Sequence, residues 1–292
     1  MIGALFAGAI ALIALRARAL TRDGAIAAFV VGTLTYAGGT IGFTLVLLAF
    51  FVPSVILSRI GRARKRELVD VGKAGPRDAW QVLANGGVAT VCAIGWAVTR
   101  DLHWALAFAG AYAASTADTW ATEIGTLGRG APRSILTLRP LATGMSGGVT
   151  MRGTLGEVAG ALWIGLVAPI AIALAYADPN AGFGWTMAYT RWWGILPLVL
   201  AIPLAGVIGS TVDSLLGATL QESRHCDACG RNCETNPHVC GLPTRIVRGL
   251  PGISNDAVNF AATLTGAAAT VPLYALATHI AGLAHYTIPM SR

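Results

Sequence analysis

The sequence predicts an all-α fold, a polytopic bundle of about eight transmembrane helices with re-entrant or interfacial segments, and three observations carry that reading. Apolar runs nearly free of charge recur along the chain, each close to the ~20 residues needed to cross a hydrocarbon core. Charged residues make up 12% of the chain and its mean hydropathy is +0.63, whereas a soluble globule carries about 25% charged residues. Lys and Arg gather in alternate loops: segments 16–23, 58–78, 125–154 and 221–256 hold 18 of the 21, leaving Arg100, Arg191 and Arg292.

The first apolar run, Ile2 to Leu15, has no basic stretch ahead of it, and its cations Arg16 and Arg18 follow. It therefore reads as a short span or interfacial helix rather than a signal peptide. Segments 24–37 and 41–57 flank Gly38-Gly39 and read as two helices joined by a tight turn. Further spans are expected at 79–98, 104–124, 155–175, 193–220 and 257–283. Residues 1–292 form a single integral membrane domain, with 221–256 as a loop rich in Cys and His. Cationic loops stay on the cytoplasmic side, which puts both termini outside and the basic loops at the cytoplasmic face, as expected of a prokaryotic cell membrane. The pI near 9.5 is then a matter of topology. Anionic headgroups benefit from the same charge, and no nucleic acid is required as a partner.

Ionisable groups inside membrane segments are costly and usually functional. Two segments stand out, A-S-T-A-D-T-W-A-T-E-I-G at 114–125 and G-S-T-V-D-S-L-L-G-A-T-L-Q at 209–221, which share S-T-x-D-[ST]. Each closes an outside-to-inside helix, and helical spacing puts Ser115, Asp118, Thr119 and Thr122 on one face. The same spacing aligns Ser210, Asp213, Ser214, Gly217 and Gln221. Hydroxyls that glue helices, with acids paired to loop arginines, would explain the pattern structurally; duplication favours a site. Asp118, Asp213 and the adjacent Glu123 suit magnesium, a hard cation bound by one or two carboxylates plus substrate phosphates. Lys73, Arg77, Arg133, Arg139 and Arg152 flank helix ends on the same side and are candidate phosphate ligands.

Between Gly72 and Gly87, Pro76 suits a helix's first turn, and Asp78, Gln81 and Asn85 share one face, as do Arg77, Gln81 and Asn85. That stripe is either a site wall or a core-facing amide pair. The G-x-S-G-G core of 132–153, Gly144, Ser146, Gly147 and Gly148, can present N–H groups to a phosphate ahead of a helix, or form a re-entrant turn. It matches no P-loop. Cys226, Cys229, His238 and Cys240 give C-x2-C-x8-H-x-C with Cys233 left over. In a reducing compartment this suits structural zinc, with free thiols and a catalytic thiol as the other readings.

Taken together, Q-V-L-A-N-G-G at 81–87, D-T-W-A-T-E-I-G at 118–125, G-M-S-G-G-V-T at 144–150 and D-S-L-L-G-A-T-L-Q at 213–221 resemble a specific family. It is a group of multi-span membrane proteins long labelled as of unknown function, which includes the plant chloroplast phytyl-phosphate kinase. The resemblance runs from the first apolar run to Asn259. Thr122 departs from it, standing where Ser is expected but keeping the hydroxyl. The resemblance implies a phosphotransferase that moves a phosphoryl group from a nucleoside triphosphate, CTP foremost, to an isoprenyl monophosphate such as phytyl or geranylgeranyl phosphate. Asp118 and Asp213, with Arg77 and Asn85, would carry that chemistry; Gln81, Ser214 and Gln221 would add polar contacts to substrate. A nucleotidyltransferase making a CDP-lipid, or a transporter of a small anion or lipid, are the alternatives.

Overall fold

The computed structural model describes residues 1–61, 75–128, 130–177 and 192–287. Seven helices appear among them: α1 (Ile2–Arg16), α2 (Arg22–Arg59), α3 (Ala79–Thr99), α4 (Leu102–Gly125), α5 (Met151–Tyr176), α6 (Trp192–Thr219) and α7 (Asn255–Thr287). Five are long and apolar enough to cross a membrane, namely α2, α3, α5 and most of α6 and α7. At 15 residues α1 is about 22 Å long, short of a ~30 Å hydrocarbon core.

The 38 residues of α2 would reach about 57 Å if straight. They do not. Arg59 Nη2 donates to Ala17 O at 2.9 Å, while the Thr21 N–H at the helix's other end donates to Arg77 O at 3.0 Å. Ala17 and Thr21 are four positions apart, so both ends of α2 sit together. The reversal is at Gly39 and Thr40, whose φ/ψ values of −122/22 and 49/−137 are not helical. Gly38 packs on Ala93 at the opposite end, where Arg100 reaches its carbonyl at 3.5 Å. Two antiparallel limbs, 22–38 and 41–59, result, and the eight expected segments correspond to eight helical limbs.

Local chemistry sets the helix starts. Thr21 caps α2 by accepting from the Gly24 N–H, and Asp78 and Gln81 form a reciprocal capping box on α3. Pro76 thus stands ahead of the cap rather than in the first turn. Thr150 caps α5 through Gly153 N.

α4 is the central helix, and small residues bring its neighbours in. A Cβ on Gly209 of α6 would meet Ala114 Cβ at 2.5 Å and Ala262 O at 2.7 Å, so only glycine lets α4, α6 and α7 approach there. Toward the Arg100 end, the space between helices is filled by aromatic rings. Phe43 stacks on Phe108 at 4.1 Å between centroids, and Trp96 meets Tyr176 edge-on at 4.7 Å. At the other, basic end lie two short antiparallel sheets: β1 (Arg133–Ser134) with β2 (Gly148–Val149), and β3 (Ser223–Cys226) between β4 (Arg231–Cys233) and β5 (Arg245–Arg248).

Candidate active site at the basic end

A polar cavity of about 850 Å³ opens at the basic end, between the cytoplasm-directed ends of the helices expected from the loop charges. Asp118, Thr119 and Glu123 enter it from α4, Glu157 from α5, and Asp213 and Ser214 from α6. The two duplicated motifs therefore meet. Asp118 and Asp213 lie within hydrogen-bonding reach of each other, and Glu157 stands close enough to Asp118 for their charges to interact. Glu157 accepts from the Ser210 and Thr211 hydroxyls, the latter at 3.4 Å. Asp213 Oδ2 is buried and has no hydrogen-bond partner among the described residues.

On the facing wall stand Arg18, Arg59, Arg77, Gln81 and Asn85. The Arg77 backbone is clamped to the α1–α2 turn, its N–H donating to Ala19 O at 2.9 Å and its carbonyl accepting from Thr21. Its guanidinium lies 5.6 Å from the Phe50 ring centroid. Burial pulls that group below the ordinary arginine value, and the Glu123 charge opposes the pull. Asn85 donates to Gln81 O at 2.9 Å and its own carbonyl accepts from Ser115, which ties α3 to α4 just beneath the acids.

The Gly144–Gly148 loop lines the cavity, yet its amides are partly spent inside the protein. The Ser146 N–H donates to Glu234 at 2.9 Å and the Gly148 N–H to Met145 O at 3.2 Å. Of the expected phosphate cradle, the Ser146 amide thus holds a carboxylate and the Gly148 amide closes a turn on the loop itself. Gly147, at φ +80, abuts Ala218, where a Cβ would come within 2.5 Å; the loop packs directly on the end of α6. Gln221 is buried behind it, donating to Ser146 Oγ and to Glu234, both at 2.8 Å. It braces the wall rather than lining it. Burial pushes the Glu234 carboxyl up, while its bonds to Ser146 and Gln221 and the Arg248 charge hold it down.

Arg133, Arg139 and Arg152, expected at the phosphates, do not line the cavity. Arg133 turns back to donate to Leu138 O at 2.9 Å, and all three are exposed. Loop residues near a helix end in sequence need not face its axis. Arg18 and Arg59 line the cavity instead, delivered by the α1–α2 turn and the returning limb of α2. Lys73 lies outside the described residues.

Two acids of the cavity are not among the residues expected from sequence. Glu157 is an ionisable residue within an expected span, which is itself a signal; Glu234 sits among cysteines in a loop and nothing local marks it. In that loop Cys226, Cys229, His238 and Cys240 converge, their ligand atoms all within 4.8 Å of one another. His238 holds the Cys240 thiol down to about 6.

A family profile described as Integral membrane protein DUF92 matches residues 5–267. The chain belongs to the DUF92 family. It is 32% identical over 268 residues to Protein PGR of Arabidopsis thaliana, covering 85% of this chain and 86% of that one. An uncharacterised membrane protein of Methanocaldococcus jannaschii is 29% identical over 84% of this chain and 89% of its own. One from a Synechocystis species is 29% identical over 66% and 69%. No solved structure matches this DUF92 chain.

Proposed function

We propose that this DUF92 chain is a membrane-embedded isoprenyl monophosphate kinase, using magnesium and CTP or another nucleoside triphosphate. One observation carries the reading beyond the motif resemblance: the polar cavity shares its Arg77–Gln81–Asn85 wall with an apolar cavity. That second space runs between α1, both limbs of α2 and α3, lined by residues such as Ala11, Val31, Leu47 and Phe51. A headgroup site that meets an apolar space of about 70 Å³ at an arginine fits the first carbons of an amphiphile bearing one phosphate, the rest of its tail lying in lipid.

The acids fit magnesium by donor chemistry. Asp118, Asp213 and Glu157 offer hard oxygen ligands, and the buried Asp213 Oδ2, which has no hydrogen-bond partner among the described residues, could ligate a cation. Bound there, magnesium would neutralise the triphosphate's β- and γ-oxygens. Arg77, with Arg18 and Arg59, would hold the acceptor phosphate in line. An acceptor oxygen forms the new bond to the γ-phosphorus, the bond to the β–γ bridging oxygen breaks, and the nucleoside diphosphate leaves with that electron pair. An ionised phosphate acceptor needs no general base, and positioning with charge neutralisation supplies the rate. The aromatic core at the other end leaves the site reachable from one side, which favours an interfacial enzyme over a transporter.

The deciding experiment gives purified protein in liposomes magnesium, labelled CTP or ATP, and phytyl or geranylgeranyl monophosphate. Isoprenyl diphosphate and nucleoside diphosphate are expected. Inverted vesicles, which expose the cytoplasmic side, should be active without detergent and right-side-out vesicles inactive. A CDP-lipid with pyrophosphate would replace the kinase by a nucleotidyltransferase; no product from any pairing would end the reading.

A further inference from the structure

Residues 221–254 cap the basic end, and little apolar material holds that cap together. Its fully buried side chains, among the described residues, are Gln221, Ser223, Cys226, Cys233 and His238. A unit below ~40 residues does not bury enough surface to fix one conformation, and such units use a metal, a disulfide or a partner instead. The cap rests on the bundle, but its own β4-β3-β5 ladder has no core beneath it.

Four of its side chains supply what is missing. Cys226 ends β3 and Cys229 stands in the turn that follows; His238 and Cys240 come from the loop between β4 and β5. Cys226 Sγ and Cys240 Sγ are 3.7 Å apart, and His238 Nδ1 is 3.2 Å from Cys240 Sγ. Tetrahedral zinc, with Zn–S of ~2.3 Å and Zn–N of ~2.0 Å, requires edges of about 3.8 and 3.5 Å. A disulfide would bring two sulfurs to about 2.05 Å, and all five cysteines are free. Three sulfurs and one imidazole nitrogen select zinc over the hard cations that suit the carboxylates of the cavity. Cys233 stays out of the quartet, its Sγ directed to Thr235 O at 3.7 Å.

Glu234 follows Cys233 directly, so it lies in sequence between the two ligand pairs. Its carboxylate is held within the cap by the Gln221 amide, reaches out of it to the Ser146 N–H, and lines the same cavity as Asp213. We propose that Cys226, Cys229, His238 and Cys240 hold a structural zinc ion, and that this ion staples the cap so that Glu234 is fixed in the cavity wall. Only its consequence for turnover rests on the kinase reading; the metal and its effect on Glu234 do not.

Protein purified without chelators should contain about one zinc per chain, as a single tetrahedral site requires. Cys226→Ser and Cys240→Ser should lose it and Cys233→Ser should keep it. Wild-type protein exchanged with cobalt should show the intense visible bands of tetrahedral thiolate ligation, a readout that needs no variant to fold. Amide exchange of the 144–148 segment should rise when zinc is removed from wild type, because the Ser146 N–H loses its carboxylate partner. Absence of zinc and of cobalt bands, or full zinc retention in Cys240→Ser, overturns the metal site. Zinc loss with unchanged exchange at 144–148 overturns the staple. Metal content and exchange are read without turnover, so a failed kinase assay bears on neither the zinc nor the staple.

Discussion

Phe108 and Asp118 lie ten positions, or about 15 Å, apart on α4. Around Phe108 the helices are sealed: Phe43, Trp96 and Tyr112 join it with at most 1% of their surface exposed. Around Asp118 the same helices part to leave a cavity lined by four more acids, Glu123, Glu157, Asp213 and Glu234. Both ends begin from the same close packing of small residues. What differs is the side-chain volume returned to the interior: rings at one end, short carboxylates and hydroxyls at the other. Carboxylates left facing one another in a half-buried site are unfavourable unless a cation or a shared proton joins them, whereas the stacked rings bring no such charge. The sealed end is thus a packed core, and the open end is the candidate site.

Removing one acid is the strongest way to break this comparison. Asp213→Asn and Asp118→Asn should each lower turnover by about 10²–10³-fold, the scale of deleting one preorganised charge contact, while membrane insertion and thermal unfolding stay close to wild type. Full activity in both would show that the open end does not bind the metal. At the sealed end the effects should exchange. Phe108→Ala should cost about 3 kcal/mol of stability from the cavity it leaves, seen as a lower unfolding midpoint in detergent, with turnover at low temperature within a few-fold. Large loss of turnover without loss of stability would mean that the two ends are not separable.

A smaller effect sharpens the boundary of the open end. Arg77→Ala should raise KM for the isoprenyl phosphate by about tenfold or more, the value of a charge-assisted hydrogen bond of ~1.5–3 kcal/mol. Arg139→Ala, on the exposed loop, should change it less than twofold. Equal effects from the two would mean that loop charge in general, rather than the Arg77 wall, attracts substrate.

Much of the site is legible in the sequence. The Asp118 and Asp213 motifs are readable because an acid in an apolar helix is an anomaly that hydropathy exposes. Cys226, Cys229, His238 and Cys240 are readable because ligand type and spacing are chemically distinctive. The hairpin within α2 is marked by Gly38-Gly39. Arg133, Arg139 and Arg152 are placed only by nearness to helix ends, and nearness in sequence does not state direction. Arg18 and Arg59 come from two other basic segments, 16–23 and 58–78, and which cations turn inward depends on how the α1–α2 turn and the returning limb dock.

From the sequence alone come the membrane class, the positions of the apolar segments and the alternation of loop charge, together with the residue types that carry chemistry. These follow from local quantities: transfer free energy along the chain, helical period and ligand preference. Only the tertiary structure brings Glu157 beside Asp118, carries Glu234 from the Cys/His cap to the Ser146 amide, and joins the polar and apolar cavities at Arg77. Each of those contacts joins elements far apart in the chain. Their distances are set by how glycine-rich helix faces pack, a property of pairs of surfaces that no single segment encodes.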